Sequence, residues 1–253
     1  MRYAKGSIKL SSAQDYPLLR QVMRSQFVTH DQLCEFMTLG CYEIKRQSFN
    51  WRVRRLVMHG FLLRHYLPAL ARPYTYSIGP LGVVRLQGMG EFYSGPPRGR
   101  GNNVDDLLCA HAVELNDLHL ALARQSLVEE WIPEVEIRSK NELTSFGYAK
   151  DYDAIVTVRA GFRYLRFALE YERSAKKPRE YFKIQEEIEG ETHLDRFLYL
   201  VANEHLQSFL LQFFSKTRRR LYIGLAHNFM TNFLDMAVIH AATGSRTTLK
   251  ETL

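Results

Sequence analysis

Three carboxylates stand where two successive strands would meet. Asp153 opens the run Tyr152–Val158, and Glu170 and Glu172 close the run Phe162–Glu172. Side chains alternate across a strand, so Glu170 and Glu172 fall on one face. A short Arg159–Gly161 turn would join the runs as a hairpin and let all three acids converge at one sheet edge. An oxygen cluster of this kind suits a hard divalent cation, Mg²⁺ or Mn²⁺, with positions left for water and a phosphate. Such an ion could activate water and neutralise charge developing on a cleaved phosphodiester. Nothing in the chain calls for an organic cofactor. The alternative is a set of acids that pair with Arg173 or Arg166, because a chain with 27 Asp+Glu will contain such a pattern by chance.

A second group has different chemistry. Asn50, Arg52, Arg54 and Arg55 lie in one helical stretch expected to begin after Ser48, whose hydroxyl would cap it, and to end at Gly60. Val53, Leu56 and Val57 make the apolar face, with Trp51 at its margin, and the asparagine and three arginines are expected to project outward. Arginine's planar fork reads guanine edges and also pairs with phosphates, and asparagine can read adenine.

The preceding elements fit such a helix. Asp15 to about Gln26 has helical apolar spacing, and Thr29 with Gln32 has capping-box spacing for a second helix that stops near Gly40. Two strand runs follow Gly60, Phe61–Tyr66 and Tyr74–Ile78, joined by a turn that holds Arg72; the stretch from Gly79 to Leu86 reads as a short helix. Three helices and a hairpin make the winged helix-turn-helix plan, whose third helix enters a DNA major groove. A winged helix used for protein contact, or a solvated charged face, would share these features.

Residues 1–93 are therefore expected to form a winged helix-turn-helix domain, residues 94–103 a linker, and residues 104–253 a second domain of mixed α/β class. The linker stretch holds Pro96, Pro97 and three glycines, with Arg98 and Arg100 available for phosphates. Beyond it, a long helix from Val104 to about Leu127 is expected to precede a strand at Trp131–Ser139 and the hairpin. A helix after Pro178, a strand at Phe197–Ala202, a helix at Glu204–Phe214 and a strand at Arg220–Ala226 would complete the domain. Arg218 and Arg219, with Lys216 and Arg220, precede that last strand and could clamp a DNA backbone, or form a solvated loop.

Charge agrees with this division. The chain of 253 residues carries a net charge of +7, and residues 1–103 hold 15 Lys+Arg against 5 Asp+Glu, whereas the remainder holds 19 against 22. A basic front half and a mildly acidic back half suit a DNA-binding module joined to a separate working domain. The 46% hydrophobic content excludes disordered and collagen-like classes. No apolar run is long enough for a membrane helix, so no membrane partner is expected. Cys34, Cys41 and Cys109 lack metal spacing and cannot all pair, which suits a reducing cytoplasm, and the first residues lack a hydrophobic signal core. DNA is the expected partner, with a homodimer left open.

Asp153 followed by Glu170-Tyr171-Glu172 after a hairpin resembles the PD-(D/E)XK restriction-endonuclease-like superfamily. The whole chain, from about Asp15 to Ala226, is similar to the replication-relaxation proteins of plasmids and other mobile elements. Leu108–Asp117, the Trp131 strand, Tyr152-Asp153, and Leu169–Ser174 followed by Lys183 carry that likeness. The resemblance implies a winged helix joined to a restriction-endonuclease-like α/β sandwich, with a divalent cation on Asp153 and Glu170 and a further oxygen from Glu114. It also marks a departure, since Glu172 occupies the place of the superfamily's water-activating lysine. The catalytic set so implied is Asp153, Glu170, Glu172 and Lys183, with Lys183 returning from the following helix in the lysine's place; Lys176 or Lys177 could serve instead. A degenerate nuclease fold acting as a regulator of transcription, plasmid replication or transfer is the alternative.

Overall fold

The computed structural model describes residues 8–43, 45–67, 74–91, 93 and 105–252. Two compact units divide between Leu120 and Ala121. The class is mixed α/β, as expected. Arg72, Arg98, Arg100 and the 94–103 stretch lie outside the described residues.

In the first unit, α1 (Asp15–Ser25) buries Leu18, Leu19, Val22 and Met23, the i, i+1, i+4, i+5 stripe of its sequence. A two-residue strand, β1 (Val28–Thr29), leads directly into α2 (His30–Leu39). The Thr29 hydroxyl accepts from the Gln32 amide at 3.2 Å and the Gln32 side chain accepts from the Thr29 amide at 3.1 Å, so the expected capping box is formed. The third helix, α3 (Arg46–Met58), starts earlier than expected, with Lys45 at its cap and Ser48 inside it. It buries Phe49, Arg52, Val53 and Leu56.

The hairpin of β2 (Leu62–Tyr66) and β3 (Tyr74–Ile78) is antiparallel from Leu62↔Ile78 to Tyr66↔Tyr74, and β1 pairs with the far side of β3. This third strand was invisible in sequence because two residues show no period. At the hairpin's base, Gly79 lies where a Cβ would sit 2.4 Å from the Gly60 carbonyl oxygen, so only glycine admits this approach. A short helix, α4 (Pro80–Gln87), follows with proline in its first turn.

Most of α5 (Asp106–Arg124) belongs to this first unit, although residue 104 was the expected start of the second domain. Cys109 and Ala112 of α5 pack with Phe27 and Leu67. The Gln32 side-chain Nε2 donates to the Val113 carbonyl and to Asp117, each at 2.7 Å, and the Asn116 side chain donates to the Phe27 carbonyl at 2.8 Å. His119 packs against Phe36, and burial pushes its imidazole down to about 3, so it is held neutral.

The second unit is one seven-stranded sheet in the order β10-β9-β8-β7-β6-β5-β4. Its strands are β4 (Val128–Pro133), β5 (Ala154–Ala160), β6 (Arg163–Glu172), β7 (Arg196–Val201), β8 (Arg220–Leu225), β9 (Ala237–His240) and β10 (Arg246–Thr248). β6, β7 and β8 run parallel, and every other pairing is antiparallel. The parallel members are joined through α7 (Pro178–Gly190) and α8 (Glu204–Phe213). Tyr181, Ile184 and Ile188 of α7 and Leu206 and Leu210 of α8 pack onto Ala168, Phe197, Tyr199, Val201 and Ile223 of the sheet. Residues 197–201 are buried on both faces, which is why they read as an unbroken apolar run.

One expected strand is mostly a helix. The stretch Trp131–Ser139 alternates apolar and polar, but β4 ends at Pro133 and α6 (Glu134–Leu143) begins there. Pro133 takes the cap position, Glu134 and Glu136 favour the first turn, and the Glu134 amide donates to the Asp153 carbonyl at 3.1 Å. Val135, Ile137 and Ser139 are still buried, and Ser139 satisfies its hydroxyl internally by donating back to the Val135 carbonyl at 2.6 Å. After β8, α9 (Ala226–Asn232) precedes the two last strands. Among the described residues no helix is long and apolar enough to cross a membrane.

Candidate functional site

β5 and β6 pair from Ala154↔Leu169 to Ala160↔Arg163. One further step of that register sets Asp153 opposite Glu170. Asp153 and Glu170 share a face with Ile155 and Ala168, which belong to the core beneath α7 and α8. The three acids thus stand together at the carboxyl end of β6, where the parallel strands of an open sheet gather ligands. They are not scattered to opposite faces.

Each acid is engaged. Asp153 accepts the Tyr171 amide at 2.7 Å, which fixes the carboxylate at the strand edge. Glu170, 3% exposed, accepts a hydrogen bond from Lys150, and Glu172, also 3% exposed, accepts one from Lys176. Burial pushes the Glu170 carboxyl up to about 7, opposed by the Lys150 ammonium and helped by the Asp153 charge. Burial likewise raises Glu172, with Lys176 opposing. For the two lysines, burial works toward the neutral form, but the carboxylates outweigh it and both are held above the ordinary lysine value. With all three acids ionised, the two ammonium groups of this group of five leave one negative charge in excess.

Beside Glu170 on β7 stands Tyr199, fully buried, whose hydroxyl has no hydrogen-bond partner among the described residues. Burial and the nearby Glu170, Glu172 and Asp153 charges hold that phenol well above its ordinary value, so it is a donor. An unsatisfied buried hydroxyl costs roughly 1–3 kcal/mol. The acids are oxygen donors of the kind a hard cation takes, with the ammonium groups of Lys150 and Lys176 already on Glu170 and Glu172. Among the described residues, however, no three acid, histidine or cysteine groups are drawn close enough to hold a metal as they stand.

Lys183 and the arginines of 218–219 do not join the cluster. Lys183 is exposed and pairs with Glu187 one turn along α7 at 3.5 Å. Its neighbours Tyr181 and Ile184 point inward, which turns position 183 to solvent. Glu114 lies on α5 within the first unit. Arg219 donates through Nη2 to the carbonyls of Glu191 and Leu194 and stacks over Phe197, so it braces the loop. Arg218 is exposed, but it precedes β8 at the amino end of the parallel strands, ~16 Å of strand length from the acids. Arg166, an alternative partner for the acids, lies instead near Glu130 and Tyr148.

Lys150 carried no signal in the sequence. It lies in an irregular stretch, and only the register that opposes Asp153 to Glu170 brings it within reach. Of Lys176, Lys177 and Lys183, Lys176 is the one found on Glu172.

The first unit carries the second group. Arg52 is not outward: it is 7% exposed and donates to Asp15 at 2.9 Å, Glu43 at 3.1 Å and Gln14 at 2.6 Å. Arg55 is partly buried, pairs with the other oxygen of Asp15, and stacks over Trp51. Arg54 and Asn50 are exposed, as expected. They face a groove between α3 and the hairpin, shared with Met58, Tyr76 and Arg64, and Arg64 itself stacks over Tyr74. The free surface of α3 includes Asn50, Trp51, Arg54 and Met58. Comparison with protein-family models, with curated proteins and with solved structures finds no match to this chain.

Proposed function

We propose that this chain is a DNA-binding protein in which a winged-helix unit grips duplex DNA and a restriction-endonuclease-like unit acts on it as a phosphodiesterase. The observation that carries the proposal is the gathering of Asp153, Glu170 and Glu172 on one face at the carboxyl end of β6, with Lys150 and Lys176 on the two glutamates. The likeness to replication-relaxation proteins supports a place on a mobile element. Asp153 and Glu170 would hold the divalent cation, which supplies Lewis-acid charge and lowers the pKa of water. Glu172 would accept the proton of the attacking water. Lys150 and Lys176 would hold the scissile phosphate once the glutamates turn elsewhere. Tyr199 offers its unspent hydrogen bond to the same space. The outward face of α3 and the hairpin supply contacts that set the register on DNA.

Buried lysine–glutamate pairing favours a second reading, a non-catalytic regulator whose acids are neutralised by their own lysines. One assay separates the two. With Mn²⁺, purified protein is expected to nick or cut supercoiled, linear or branched DNA, and Asp153→Asn is expected to abolish cutting while leaving DNA affinity within about twofold, since that residue belongs to the second unit and α3 and the hairpin to the first. Intact DNA in every case, with binding retained, would overturn the phosphodiesterase reading and favour the regulator.

A further inference from the structure

The hairpin of the first unit ends in two exposed rings. In the register of β2 and β3, Arg64 stands opposite Tyr76 and Tyr66 opposite Tyr74, so these four side chains share one face. The other face meets Phe27 through His65, the rings edge-on with centroids 5.5 Å apart. Near the base the shared face is closed: Leu62 and Ile78 are buried, and Tyr76 packs against His30. At the far end of the register it opens, leaving Tyr66 62% and Tyr74 48% exposed, with ring centroids 5.3 Å apart. Arg64 joins the two ends. Its guanidinium lies over the Tyr74 ring, 5.3 Å from the centroid, and it also lines the groove that Asn50 and Arg54 face from α3. Among the described residues that line this groove none is acidic.

Flat apolar rings recognise DNA by stacking on base faces. In a duplex those faces are covered by the neighbouring base pairs, and edges, sugars and phosphates point outward. An unpaired base has its face free. Resting on the DNA-binding proposal, we infer that Tyr66 and Tyr74 form a stacking platform for unpaired bases, so that the DNA this chain takes is a duplex carrying a single-stranded arm. Asn50 and Arg54 of α3 stay on the paired part. Arg64, between the groove and the platform, holds phosphate where the strands part, and the arm runs onto the tyrosines. A groove with cations and no acid suits a phosphate chain as the occupant of this face. Stacking tolerates every base, so the platform selects the form of the DNA rather than its sequence.

Fluorescence anisotropy with the full chain tests this on one duplex in two forms, blunt and extended at one end by a single-stranded arm of about 12 nucleotides. Wild type is expected to bind the armed form roughly 10- to 100-fold more tightly, the range of one stacked base. Replacing both rings, Tyr66→Thr with Tyr74→Thr, keeps strand preference and is expected to erase that difference while blunt-duplex affinity stays within about twofold. Phenylalanine at both positions is expected to preserve it, because a ring stacks without its hydroxyl. If the double threonine variant fails to fold, each single change is expected to lower the ratio. Equal affinity of wild type for the two forms, threonine changes that weaken both forms alike, or loss of the difference with phenylalanine would each overturn the inference and leave DNA binding standing. Self-association of wild type that the threonine changes dissolve, with the armed-form preference intact, would give the face to a second copy and overturn it as well. Failure to bind either form would remove the DNA-binding proposal and this inference together.

Discussion

Replacing Arg52 by methionine is expected to destabilise the first unit by about 3–5 kcal/mol, the cost of removing one partner from a buried ion pair. Asp15 and Glu43 are 0% and 7% exposed, and Arg52 supplies a fork to both. Arg55 would still hold one oxygen of Asp15, but Glu43 would be deprived of the Arg52 guanidinium. The same change at Arg54 removes an exposed side chain and should cost less than about 0.5 kcal/mol. Chemical denaturation of both variants measures the difference. DNA affinity should follow the opposite order once only folded protein is compared. Equal stability of the two variants would return Arg52 to the surface role that the sequence suggested.

Lys150→Met is expected to have an effect of similar size in the second unit, about 3–5 kcal/mol at pH 8, because Glu170 would be left buried without its ammonium. The loss should shrink as the pH is lowered. The folded pKa of Glu170 is raised to about 7, above the ordinary carboxylate value, so the folded state holds a proton that the unfolded state has released between about 4.5 and 7. Stability therefore falls as pH rises through that window. Removing Lys150 takes away the group that lowers the Glu170 pKa, and the window extends upward. Denaturation midpoints at pH 5.5 and pH 8, in the presence of a chelator, should diverge for Lys150→Met far more than for wild type. Parallel pH profiles would mean that Lys150 and Glu170 do not form a coupled pair.

Arg52 and Lys150 show what sequence could and could not reveal. Arg52 stands three residues after Phe49 and four before Leu56, both fully buried, so helical period already put it on the inner stripe. Counting three arginines as one outward cluster obscured this, and the two acids that receive Arg52 lie 37 and 9 residues away. The capping box at Thr29 was legible because its parts are three residues apart. Asp153, Glu170 and Glu172 were legible because strand period and one tight hairpin place them. Lys150 and Lys176 sit in irregular segments on either side of that hairpin, where no period fixes a direction. The helix at Glu134 was hidden by an alternation that tertiary burial produced, with its start set by Pro133 and a hydrogen bond to the backbone of Asp153.

Duplex binding by α3 and the hairpin is the premise on which the rest depends, and its salt dependence measures it most directly. Affinity of the full chain for duplex DNA should fall steeply between about 50 and 200 mM salt. The log–log slope should lessen by about 0.9 for each phosphate that Arg54→Ala or Arg64→Ala leaves without its cation. Binding that ignores salt, or that keeps both affinity and slope when Arg54 and Arg64 are removed together from a folded protein, would contradict it.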